Sequence, residues 1–181
     1  FGAGGERVRV AGSGSGAVGG CGGGRVAGSG RVVTVIGGGA DLDASRRDGL
    51  RVASTKGDFV VHRATATDDA STVGVVDMVL VGVKADAVSA VAPAIGSLVG
   101  PETVVVPLQN GVQAASDLAA VFGAQPVLGG LCRIVSFVPG PGRIEHAAAE
   151  PTVVIGELDR PVSGRVQRVR DLFERAGVAV E

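Results

Sequence analysis

Three short stretches carry residue types from which a nucleotide site can be built: "GSGSGAVGG" from Gly12 to Gly20, Lys84 directly after "VLVGV", and Asn110 directly after "VVVPLQ". The first contains a GxGxxG register at Gly14, Gly16 and Gly19, with "RVAGSG" as its incoming strand. In such a loop the first glycine allows a tight turn, the second lets backbone approach a pyrophosphate, and the third lets helix and strand pack closely. The helix that follows offers free N–H groups and the positive end of its dipole to phosphate. About half of the chain's 31 glycines fall in its first forty residues. A flexible glycine-rich linker is therefore the competing interpretation of this stretch.

Lys84 and Asn110 each follow an apolar run that predicts a parallel strand, and ligands of open parallel sheets bind beyond the carboxyl ends of the strands. The Gly loop, Lys84 and Asn110 should then share one crevice. Taken singly, Lys84 could be a solvated lysine capping a strand, and Asn110 an Asn-Gly turn or a helix cap. Three coincidences at one edge favour a site. His62 and His146 lack a neighbouring carboxylate or cysteine and are expected as surface or strand histidines. Ser136 has no nucleophile elbow, and Glu145 and Glu157 are expected as solvent-facing strand charges. None of these is assigned catalysis, and no metal site is expected.

The elements that must position the site are legible as period and composition. "RVVTVI" (31–36), "VDMVLVGV" (76–83) and "TVVVPL" (103–108) are near-continuous apolar runs, as strands covered on both faces require. Val88, Val91, Ala92, Ile95 and Leu98 recur at helical spacing, with Pro93 placed to kink that helix. A second helix after Asn110 should bury Val112, Leu118, Ala119 and Phe122. Strand–helix alternation of this kind predicts a doubly wound, mostly parallel α/β sheet with right-handed crossovers. Farther on, "PVLGG", "CRIVSFV", "GRIEHA" and "PTVVIGEL", broken by the turn "PGPG" (139–142), predict an antiparallel or mixed extension. A last helix should bury Val162, Val166, Val169, Leu172 and Phe173, and "AGVAVE" should start a final strand.

Composition narrows the function classes. A chain of 181 residues is long enough for one domain and could bury roughly 70% of its unfolded surface. Seventeen basic and eighteen acidic residues give a net charge of -1, with no basic run to follow a nucleic-acid backbone. Cys21 and Cys132 stand far apart without a CxxC neighbour, which fits two thiols in a reducing cytoplasm. No apolar run approaches the roughly 20 residues of a membrane span. The chain opens on Phe1 rather than Met, so a true amino terminus upstream is expected.

With the Gly loop, "VGVKADAV" and "PLQNGV" in place, the chain resembles the ketopantoate reductase (2-dehydropantoate 2-reductase) family. Further matches are "GAVGG" (16–20), "RRDGLRV" (46–52), "PGRIEH" (141–146) and "IGELD" (155–159), so the likeness covers residues 7–181. The resemblance implies an NADPH-dependent reductase with a Rossmann domain followed by a helical domain, acting on 2-dehydropantoate to give (R)-pantoate for coenzyme A. Carried over by position, Gly14, Ser15, Gly16, Ala17, Val18 and Gly19 would bind the pyrophosphate, and Lys84 would lie near the nicotinamide end. Asn110 would face the nicotinamide ribose and the substrate, a small 2-oxo acid. Lys84 and Asn110 are accordingly the catalytic candidates here. The family's general-acid lysine belongs to the helical domain and is expected beyond residue 181, as are the substrate pocket and the contacts a homodimer would need.

Two departures from the family pattern stand out. Where the family carries an Arg for the 2'-phosphate of NADP, this chain has Gly37, Gly38 and Gly39. No acidic residue replaces it, which leaves NAD open, and Arg46 or Arg47 could reach a phosphate from the next helix. Gly12 and Ser13 stand where the family has large aliphatic residues, each forgoing about 1.5–3 kcal/mol of burial. Two other classes remain open: a nucleotide-binding module that binds without turnover, and a reductase of a related 2-oxo acid or imine.

Overall fold

The computed structural model describes residues 8–14, 24–27, 32–55, 57–61, 65–147 and 151–181. In chain order the first half contains β1 (Arg9–Ser13), β2 (Val32–Ile36), α1 (Gly39–Asp48), β3 (Leu50–Ser54), β4 (Phe59–Val61), β5 (Thr65–Thr67) and β6 (Met78–Val81). The second half contains α2 (Val88–Ala94), β7 (Val104–Pro107), α3 (Gln113–Phe122), β8 (Gly129–Arg133), β9 (Ser136–Gly140), β10 (Arg143–His146), β11 (Thr152–Gly156), α4 (Gly164–Arg175) and β12 (Ala179–Val180). Residues 24–27 are also helical.

A five-stranded parallel sheet in the order β5-β2-β1-β6-β7 organises the molecule. Every residue of β6 and β7 is buried, as their unbroken apolar runs anticipate. Side chains leave the two faces alternately. Val10, Met78, Leu80, Val104 and Val106 join Val166, Val169, Leu172 and Phe173 of α4 in one core. Ala11, Val79, Val81 and Val105 pack with Val88 and Ala92 of α2 and with Ala114, Ala115 and Leu118 of α3 in another. Layers on both faces of a parallel sheet make the doubly wound α/β architecture.

The extension is mixed. Strand β8 runs antiparallel to β11, and β12 lies parallel beside β11. This trio is stitched to the main sheet through Leu128 N to Val105 O at 3.0 Å and Cys132 N to Leu108 O at 3.2 Å. Gly130 permits the close approach, because a Cβ there would overlap the Pro107 carbonyl. A separate sheet, β4-β3-β10-β9, closes over Leu50, Val52, Val61 and Ile144.

Several local expectations are corrected. Helix α2 stops at Ala94, one residue past Pro93, and a 3-10 turn at Gly96–Leu98 completes the apolar face. Proline removes an amide donor and crowds the preceding turn, so the kink becomes an ending. Val112 and Val162 are 86% and 76% exposed, because each precedes its helix instead of lying on the buried face. Strands β3, β4 and β5 have no counterpart in the sequence reading; two of them are only three residues long.

Glu157 is the largest reversal. Its side chain is 1% exposed and accepts hydrogen bonds from Arg165 Nε at 3.0 and 3.1 Å, from the same guanidinium's terminal nitrogen, and from the Ser163 hydroxyl. Arg165 also donates to the carbonyls of Gln125 and Val127, so this pair ties the start of α4 to the segment leading into β8. His146, on β10 as expected of a strand histidine, is 1% exposed with its Nδ1 3.0 Å from the Ser54 hydroxyl. Glu145 is exposed on the same strand, and Ser136 lies on β9. His62 and Cys21 fall outside the described residues.

Gly12 is buried in β1, yet no atom of the described residues lies within 4 Å of where its Cβ would stand. A strand-interior glycine costs about 0.5–1 kcal/mol relative to alanine. Gly12→Ala should therefore raise stability by about that amount, seen in thermal unfolding as a gain of roughly 1–4 °C. An unchanged or lower midpoint would show that the space is already filled.

Candidate functional site

The chain leaves β1 toward β2 on one side and reaches β6 on the other, so the sheet order reverses between β1 and β6. Such a switch point opens a crevice outside the carboxyl ends of the strands. A cleft of about 1010 Å³ occupies that position, lined by the exits of β1, β2, β6 and β7 and by Asp68 after β5. Gly14, Lys84 and Asn110 all line it, which is the convergence their places in the sequence predict. Ile36, Val83, Val91, Ile95 and Val138 give it apolar walls.

Gly14 is positioned by its own backbone. Its φ is +101°, and its N–H donates to Ile36 O at 2.8 Å, joining the exits of β1 and β2. A Cβ there would stand 2.9 Å from Val83 N and 3.0 Å from Val83 Cγ1. Gly82 N donates to Ser13 O at 2.8 Å, so β6 leaves the sheet pressed against the start of the Gly loop. Ser15, Gly16, Ala17, Val18 and Gly19 lie outside the described residues. The backbone at Gly14 has a positive φ that suits the tight turn expected of the first glycine of such a loop.

Lys84 is exposed and enters the 3-10 turn Ala85–Ala87, its carbonyl accepting from Ala87 N at 3.0 Å. Asn110 is exposed ahead of Gly111, whose φ is +104°. Helix α3 has Val112 as its N-cap and takes no side-chain cap, so the Asn110 amide is not used in capping it. Both polar groups thus stand at the cleft with no structural task visible among the described residues.

Two contributors have no role assigned from the sequence. Gln109, 6% exposed, donates from Nε2 to Val81 O at 3.0 Å and to Val83 O at 2.9 Å. Its signal was a polar residue closing an otherwise apolar run just before Asn110. Asp68 lies level with Gly37, whose N–H donates to Thr67 O at 3.0 Å. The loop behind it is ordered by Asp69, which accepts from the Ser71 hydroxyl at 2.6 Å and the Ser71 N–H at 2.9 Å. Those two bonds, the hydroxyl's first, hold the Asp69 carboxyl below the usual carboxylate range.

At this rim the two candidate arginines differ. Arg46 donates from Nε to Ala66 O at 2.9 Å and lies 3.6 Å from Asp68, while Arg47 turns to its neighbour Asp48 at 3.2 Å. Arg46 is therefore the one of the two that is paired with a residue of the cleft lining, Asp68. The residues present fit a dinucleotide: bare glycine backbone at Gly14, Gly37, Gly38 and Gly82 allows a diphosphate to approach, and the apolar walls suit flat rings. Among the described residues no group of histidine, cysteine or carboxylate side chains is arranged to hold a metal ion. No helix among them is long and apolar enough to cross a membrane.

Comparison with known proteins gives the same direction. Residues 10–160 match the family model described as ketopantoate reductase PanE/ApbA. The chain is 33% identical over 172 residues to a 2-dehydropantoate 2-reductase of Halobacterium salinarum, covering 94% of this chain and 56% of that one. It is 31% identical over 168 residues to the uncharacterized oxidoreductase YkpB of Bacillus subtilis, covering 93% and 54%. The crystal structure of 2-dehydropantoate 2-reductase from Geobacter metallireducens superposes with a TM-score of 0.90 at 32% identity, over 96% of this chain and 57% of that one. The chain spans about half the length of the curated relatives it matches.

Proposed function

This chain belongs to the ketopantoate reductase family, and on that premise we propose that it is the dinucleotide-binding part of an NADPH-dependent enzyme that reduces 2-dehydropantoate to (R)-pantoate. The observation that carries this reading is the meeting of Gly14, Lys84 and Asn110 at one cleft on the switch point of the sheet. When bound, the dihydronicotinamide would supply the hydride taken by the keto carbon, while a general acid would supply the proton taken by the keto oxygen. Lys84 places a positive charge at the nicotinamide end. Asn110 can both donate to a ribose hydroxyl or the substrate and accept from them. The apolar walls keep water from the reacting carbon.

NADPH is the proposed reductant because Arg46 forms a half-exposed ion pair with Asp68, which lines the cleft after β5. Such a pair is worth little, and a 2'-phosphate offers the guanidinium a doubly charged partner instead. The expected result is saturable NADPH binding by this chain that weakens about tenfold in Arg46→Ala, with NADH affinity within about twofold of wild type. Equal losses for both cofactors would remove Arg46 from the 2'-phosphate. Failure of the wild-type chain to bind either would remove the cofactor reading itself.

A further inference from the structure

We infer that Gln109 is the positioning residue of the cleft, a buried amide that sets Gly14, Lys84 and Asn110 relative to one another; the inference rests on the cleft being a dinucleotide site. Its two Nε2 bonds reach the carbonyls of Val81 and Val83, which flank Gly82. Val81 O also accepts the backbone N–H of Leu108 at 2.9 Å, so the side-chain amide prolongs the β6–β7 ladder past the place where the backbone can continue it. The clamped stretch is the one that meets the other two parts of the site. Gly82 N is bonded to Ser13 O, Val83 N is the nearest atom to the missing Cβ of Gly14, and the next residue is Lys84. On the other side, Gln109 is joined by one peptide bond to Asn110.

The acceptor half of the amide argues for the same role. Gln109 Oε1 is buried and has no hydrogen-bond partner among the described residues. A buried orphan acceptor is unfavourable, and a methionine or leucine would fill the space without it. The side chain is accounted for by its donors. Its amide also cannot be turned over, since carbonyl oxygens can only accept.

Two variants separate positioning from filling. Gln109→Met keeps length and loses both donors; Gln109→Glu loses them when ionised and regains one when protonated. NADPH titration and backbone amide hydrogen exchange are measured on each, beside thermal unfolding. In Gln109→Met the expected result is NADPH affinity lower by about tenfold and exchange faster by about tenfold at residues 82–87, with the centres of β6 and β7 unchanged. Gln109→Glu should regain affinity relative to wild type as pH falls from about 8 to about 5. A folded Gln109→Met with affinity within about twofold of wild type and unchanged exchange would overturn the inference. If that variant does not fold, a Gln109→Glu whose affinity ratio to wild type is flat with pH overturns it instead. Loosening of 82–87 in a chain whose wild type binds no NADPH would reject the cofactor reading and keep the clamp.

Discussion

Gly14→Ala is expected to abolish measurable cofactor binding and to lower stability, although it adds one methyl group. Two physical effects act together. An L-residue at φ +101° is strained by about 1–3 kcal/mol, and the new methyl would lie 2.9 Å from Val83 N and 3.1 Å from Gly82 C. Those neighbours are backbone atoms of the turn into Lys84, so relief must come from moving that turn or the exit of β1. Either movement separates Gly14 from Lys84. The expected loss of NADPH affinity is at least about 100-fold, equivalent to roughly 2.7 kcal/mol. Gly12→Ala, two residues earlier and inside β1, is the matched control with the opposite sign. Gly14→Ala binding within a few fold of wild type would show that the loop does not depend on this contact.

Glu157→Ala is expected to destabilise the whole domain by about 3–5 kcal/mol, because it leaves the Arg165 guanidinium, 11% exposed, without its counter-charge. Thermal unfolding should fall by roughly 6–20 °C. The same pair sets a pH dependence. The hydrogen bond from Arg165 is the main cause holding the Glu157 carboxyl below its ordinary value, with burial opposing it and Ser163 assisting. A carboxylate with a depressed folded pKa stabilises the fold above its unfolded pKa, near 4.3, and loses that contribution as pH falls through the folded value. Wild type should therefore lose stability relative to Glu157→Ala as pH is lowered from about 5 toward 3. Parallel stability curves for the two proteins across that range would contradict the assignment.

What the sequence made legible follows from how much chain each feature uses. The strands β2, β6 and β7 and the helix α4 announce themselves through sustained apolar runs or a helical stripe, and they are the elements that place Lys84 and the carboxyl-end cleft. Strands β4 and β5, three residues each, fall below the length at which alternation separates from chance. Glu157 was misplaced because its neutralising partner, Arg165, is eight residues on and reaches it only after α4 has folded back. Gln109 was hidden for a different reason. A polar residue at the end of a buried run looks like the start of a loop until the two carbonyls it reaches, 26 and 28 residues earlier, are seen beside it.

The most direct test of the central claim is a titration of this chain with NADPH, followed by the fluorescence of the cofactor, which suits a protein with no Trp or Tyr. The account predicts a saturable signal that is lost in Gly14→Ala and weakened in Lys84→Ala, the two positions that the switch-point cleft brings together. A titration that stays flat for wild type, or a saturable one indifferent to both substitutions, would contradict it.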